Sequence, residues 1–392
     1  MLLRPVHLLL ATALLASATA ADAVVRVVHP GESIQAAIDA ASPGDTILVE
    51  PGVYQETGND RFGLRISTAN LRLVGKLGKG SVQGVRLLAY GTQQTGVYAA
   101  PAACGPEVPV GGCPDELDGF EIRGFAVEDF PRNGIQTRFV KNFKILGNES
   151  ARNLENGIYP TISANGLVQN NLSYGALDTA MWVAASENVR VVGNEMRDSV
   201  VGLEITVANE VQVTNNLIHH NTVGVGMFHP NAAGNLPLPV MANWVIEDNR
   251  IFSNNKPNNA PPGSFQGELP SGVGIMLLGV SDNVVARNKV ALNDFVGIGV
   301  LGWCTATGFT PGRNCSADPP KRDPSANDNL VYENFVFGNG NNPPGGILDF
   351  LAADITYFQY ETSSGNCFYD NKPPGFTFYA NTPDGELPTD CP

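Results

Sequence analysis

The sequence predicts an all-β chain wound as a right-handed parallel β-helix, a solenoid of about nine or ten rungs. Three observations lead there. A short motif recurs at near-constant spacing, an asparagine holds a fixed place in most repeats, and a short amphipathic helix precedes the first coil.

The chain of 392 residues begins MLLRPVHLLLATALLASATA, with one arginine, an apolar run and small residues at Ala18-Thr19-Ala20. That is the pattern of an export signal, so residues 1–20 are set aside from the fold and the mature chain is expected to start near Ala21. The run is too short for a confident membrane span, and no later segment approaches one. A secreted or periplasmic location follows. Residues 21–392 then form one β-helix domain. Within it, 22–50 is the N-terminal cap, 119–350 the regular coils and 351–392 an irregular, disulfide-bearing C-terminal cap.

The cap begins with PGESIQAAIDAASPGDTILVEPGVYQE. Ile34, Ala37, Ile38 and Ala41 share one helical face, which predicts a helix over Ser33–Ala41 covering the open end of the first coil.

The repeat reads apolar-x-apolar-x-x-Asn. Eight or nine residues later a glycine is followed by an aliphatic residue. FKILGNES leads to GIYP at Gly157, VRVVGNEM to GLEI at Gly202 and VQVTNNLI to GVGM at Gly224. The markers Phe125, Asn148, Asn171, Asn194 and Asn216 are spaced 23, 23, 23 and 22 apart. This period is too short for a βαβ unit and fits one solenoid coil, with strands stacked about 4.8 Å apart. Alternation turns Val, Ile and Leu inward. The asparagines read as a structural ladder at a left-handed corner rather than a reacting set. Asn148, Asn171 and Asn314 also stand in N-x-S sequons.

Composition narrows the function. Charged residues are only 16% of the chain, the formal net charge is −14 and no Lys/Arg cluster exists. A nucleic-acid partner is therefore not expected. The six cysteines fall into local pairs, Cys104 with Cys113, Cys304 with Cys315 and Cys367 near Cys391, as expected of disulfides in an exported chain. No CxxC or Cys/His grouping suggests a metal. The residues call for no cofactor and no metal ligand set, and a monomer is expected.

GDTILVEPGVY, NGIYPTISANGLVQNN, SENVRVVGN and PSGVGIMLLG resemble secreted proteins of the pectate-lyase-like superfamily built from the parallel β-helix repeat. The resemblance covers the mature chain to about Phe350. It implies the pectin lyase fold and a long face presented to a polysaccharide, with Ca2+ as the cation such proteins use. It also implies that the Gly-aliphatic strand carries the chemistry. No specific enzyme motif is present, neither the DPHD of alginate epimerases nor the paired aspartates of polygalacturonases.

Insertions at 77–117, 229–240, 255–270 and 304–325 flank that strand and predict a walled groove. The first outward positions are Gln136, Tyr159, Trp182, Glu204, Gly226 and Met276; the second are Arg138, Thr161, Ala184, Thr206, Phe228 and Leu278. A column two residues before the glycine holds Arg132, Glu155 and Asp178. Aromatic faces beside a carboxylate suit a sugar ring. Asp178, Glu204, Tyr159 and Arg138 are the candidate catalytic residues, for β-elimination, carbon-5 epimerisation or, with Asp178 and Glu204 as a pair, glycoside hydrolysis. Trp182, Arg132, Glu155, Gln136, Phe228 and His229 are the candidate substrate contacts. The alternative is a non-catalytic carbohydrate-binding or structural repeat protein using the same face.

Overall fold

The computed structural model describes residues 23–78, 83–109, 111–233, 241–309, 315–389 and 391. Residues 1–20, expected from sequence to be an export signal, and Asn314 lie outside them. Each coil contributes one short strand to each of three sheets, of twelve, ten and eleven strands, and every pairing is parallel. One coil shows why. Glu187–Val192 turns Val189 and Val191 inward, Glu195–Arg197 turns Met196 inward and Val201–Thr206 turns Leu203 and Ile205 inward, all five at most 1% exposed. The same inward positions in every coil merge into one continuous apolar core.

The asparagine ladder is present and fully bonded. Asn148, Asn171, Asn194, Asn216, Asn249, Asn288 and Asn334 each donate from Nδ2 to the Oδ1 of the next asparagine in the column, ending at Asn371. The left-handed corner is the residue before each ladder asparagine, such as Asn170, Asn215 and Asp248, not the ladder asparagine itself. A second ladder five residues on, Asn221–Asn254–Asn293–Asn339, satisfies the next corner the same way. Asn148 and Asn171 are 1% exposed, so their sequons are sealed inside the coil. The glycine of the Gly-aliphatic motif answers to close approach. A Cβ on Gly224 would lie 2.5 Å from the carbonyl oxygen of Gly274 in the next coil.

The solenoid is longer than the predicted nine or ten rungs, with ten to twelve strands in its sheets. The excursion expected over 77–117 contributes Val85–Leu88 and Thr95–Ala99 to the sheets. Past Phe350, Ala353–Phe358, Cys367–Tyr369 and Phe378–Ala380 still pair in register. The N-terminal helix is shorter than predicted, Ile34–Asp39, capped by Ser33 and seated on Ile34 and Ile38. All three local disulfides form as paired from sequence.

Candidate functional site

The eleven-stranded sheet carries the Gly-aliphatic strands, and its register matches the outward columns read from sequence. Gln136 pairs with Tyr159, Trp182 with Glu204, Glu204 with Gly226 and Gly226 with Met276. Arg138 pairs with Thr161 and Thr206 with Phe228.

The insertions do not stand beside this sheet as walls. They lie on it. Gly226 lacks a side chain, and the Phe228 ring folds back over it; an added Cβ would meet that ring at 2.2 Å. Phe265, from the 255–270 insertion, packs edge-on against Phe228 at 5.0 Å between centroids. Trp303 stacks on His229 at 5.1 Å. Phe228 and His229 are therefore completely buried and are not substrate contacts. Burial also lowers the His229 pKa to about 4, so it is neutral at physiological pH. The apolar outward residues Met276, Leu278 and Leu301 had to be covered by something, and the insertions supply apolar partners.

The disulfide loop after Ala100 covers the other end. Arg138 donates from Nη2 to the Val108 carbonyl at 2.7 Å and is only 9% exposed. Gln136 is buried and accepts from Asn133. Neither is placed to neutralise or bind a substrate from solvent, which corrects both assignments.

Between these covers the sheet stays open at Tyr159 and Trp182, both half-buried. Their rings stack at 4.6 Å with planes 7° apart, and the Trp182 Nε1–H donates to the Thr206 hydroxyl at 2.7 Å. Stacked rings cover one face of each other, so the surface offers a sugar their edges rather than two open platforms. Burial raises the Tyr159 phenol above its ordinary value, and Glu155 and Glu204 add to that.

The carboxylates assemble beside this pair. Asp178 is half-buried and lines an open depression of about 260 Å³, together with Pro131, Leu154, Glu155, Leu177 and three insertion residues, Pro261, Ser264 and Gln266. Glu155 makes a two-pronged ion pair with Arg132. Glu204 is fully buried behind Asp178. The Thr179 hydroxyl lies 3.0 Å from Asp178 Oδ1 and 3.1 Å from Glu204 Oε2. Gln266 Nε2 reaches Glu204 Oε2 at 3.4 Å, and Oε1 has no hydrogen-bond partner among the described residues.

A hydroxyl has one proton to donate. With a carboxyl oxygen at hydrogen-bond distance on each side, Thr179 is satisfied best when one carboxyl is ionised and the other protonated. The electrostatics bias each carboxyl toward holding a proton. Burial first, then the charge of Glu155, raises Asp178 well above the usual carboxylate range; burial first, then Asp178, raises Glu204 likewise.

The structure thus brings together Arg132, Glu155, Asp178, Glu204, Tyr159 and Trp182, and leaves out Arg138, Gln136, Phe228 and His229. Thr179 and Gln266 were not singled out from sequence. Thr179 follows Asp178 directly but belongs to none of the outward columns and is fully buried, so the alternation gave no sign of it. Gln266 lies 62 residues from Glu204 in an irregular insertion and carried no signal. The donor set does not fit Ca2+. Glu155 is tied to Arg132, Glu204 is sealed, and among the described residues no group of three His, Cys, Asp or Glu is placed to hold a metal.

Residues 118–237 match the family model described as the right handed beta helix region. This chain is a right-handed parallel β-helix. Solved β-helices align along most of its length. The A-module of the mannuronan C-5 epimerase AlgE6 from Azotobacter vinelandii aligns at 14% identity over 91% of this chain and 92% of its own, TM-score 0.52. DFA-IIIase from Arthrobacter chlorophenolicus aligns at 14% over 90% and 82%, TM-score 0.53. The Dettilon tailspike protein aligns at 12% over 88% and 62%, TM-score 0.54. At these identities the likeness is one of fold. No curated protein matches the sequence. No described helix of this β-helix is long and apolar enough to cross a membrane.

Proposed function

We propose that this β-helix is an exported protein that binds a glycan across Trp182 and Tyr159 and processes it by general acid–base chemistry at Asp178. The observation that carries the reading is the Thr179 hydroxyl held between Asp178 and Glu204. A carboxyl that holds its proton near neutral pH can give it to a leaving oxygen and take it back from water. Asp178 is the member that opens to the depression. Glu204, without solvent contact, acts through Thr179 as a positioning residue and not as the second carboxylate of a hydrolase pair. Similar folds whose names state action on a polysaccharide, such as the mannuronan epimerase, support a glycan as the ligand class.

The test is incubation of the purified protein with a panel of polysaccharides, scoring new reducing ends, unsaturated products and epimerised residues. Asp178→Asn is expected to lower turnover at least a hundredfold while leaving the circular dichroism spectrum unchanged. Turnover that survives this substitution would remove Asp178 from the chemistry. The second reading, a binder without turnover, is favoured by the complete burial of Glu204, which keeps it from the substrate. Of the three carboxyls there, Asp178 alone is reachable and not tied to a cation, Glu155 being held by Arg132. The binding reading predicts glycan retardation in affinity gels with no product from the parent protein.

A further inference from the structure

The charges around the depression bear on which sugar enters it. Its lining contains two carboxylates, Glu155 and Asp178, and no lysine or arginine. The nearest guanidinium, Arg132, is held two-pronged by Glu155. Arg138, a further cation on this face, is turned under the disulfide loop to the Val108 carbonyl and packed over the Phe139 ring. Behind the lining, the carboxyl of Glu204 is fully buried with Oε1 unpartnered, and the Gln266 amide that touches it also lines the depression. Arg132 and Glu155 cancel, so the carboxyl of Asp178 faces the depression with no unpaired cation in the lining.

A sugar carboxylate placed here would meet the carboxyls of Asp178 and Glu155, and among the described lining residues no cation stands to neutralise it. Elimination or epimerisation beside a uronate carboxylate requires that neutralisation, because the carbanion forms next to the negative group. A hydroxyl or an ammonium group meets the opposite situation. A neutral sugar can share hydrogen bonds with the Asp178 carboxyl, and the ammonium of an amino sugar favours its ionised form and pairs with it.

We infer that the depression beside Asp178 selects sugar residues that carry no carboxylate, neutral or amino sugars, and discriminates against uronates. The inference rests on the glycan reading above and specifies the substrate class of that site.

The experiment is a glycan array carrying neutral oligosaccharides, glucosamine oligosaccharides and oligouronates of several backbones. It is followed by titration of the best binder of each class. The expected order is amino or neutral sugar ahead of uronate by at least tenfold. Glu155→Gln frees Arg132 and removes one negative charge, and should raise uronate affinity by about tenfold. Asp178→Asn should narrow the same gap without the cost of unpairing Arg132, so the test does not depend on one variant folding. Uronates that bind as well as or better than the other classes overturn the inference and leave the glycan reading standing. No binding by any class overturns both.

Discussion

At the scale of single residues, the site turns on one hydroxyl shared by two carboxyls. Both carboxyls are raised relative to the unfolded chain, chiefly by burial. The sign follows. The native state keeps a proton that the unfolded chain loses above about pH 4. The stability from this pair is full below that pH and is lost as pH climbs through the raised native values. The melting temperature of the parent should therefore fall between about pH 5 and about pH 9, and Glu204→Gln should flatten that fall. An unchanged slope in the variant would mean Glu204 is ionised in the fold. Trp182 was readable in sequence as an outward aromatic, and its neighbour Tyr159 with it. Their stacking on successive rungs followed from the period, and the close parallel contact of the two rings did not, because rung spacing says nothing of ring rotation. Trp182→Ala should weaken glycan affinity about tenfold by gel retardation while the fold persists, since it removes one half-buried ring and its bond to Thr206. Loss of the far-ultraviolet β signal instead would make that ring structural.

At the scale of coils and corners, the asparagine columns carry the order. Asn249 accepts from the backbone and side chain of Asn216 and donates to Val213, Glu247 and Asn288. Asn249→Ala strands buried partners on both sides and should cost about 1–3 kcal/mol, measured by denaturant midpoint. The first column was visible because one side chain recurs at one spacing. The second column, five residues later, was as visible in principle, but it is broken by Ala176 and Ser199 and so did not register as a repeat. The left-handed residue was misplaced by one position for a physical reason. The corner needs its ladder amide in a normal conformation to point inward, and it passes the strained φ to the preceding residue, where even Arg287 and Glu333 accept it.

At the scale of the molecule, the insertions decide what the solenoid can do. The 255–270 insertion supplies Phe265 to the covered patch and Gln266, Pro261 and Ser264 to the depression. Replacing it with a tight corner should leave the β-helix folded, because each coil is stabilised mainly by its neighbours. The same change should expose Phe228, Met276 and Leu278 and raise binding of an apolar dye. Collapse of the whole fold would show that the insertion nucleates the helix rather than decorating it. Period, inward alternation and corner chemistry are local and repeat along the chain, so they could be read from residue order; the parallel coils, the first ladder and the paired cysteines follow from them. The depression, the proton shared through Thr179 and the burial of Phe228 and His229 depend on how irregular segments far apart in the chain fold back over one sheet. No period encodes that contact, because it forms from apolar and polar matches between segments that occur once.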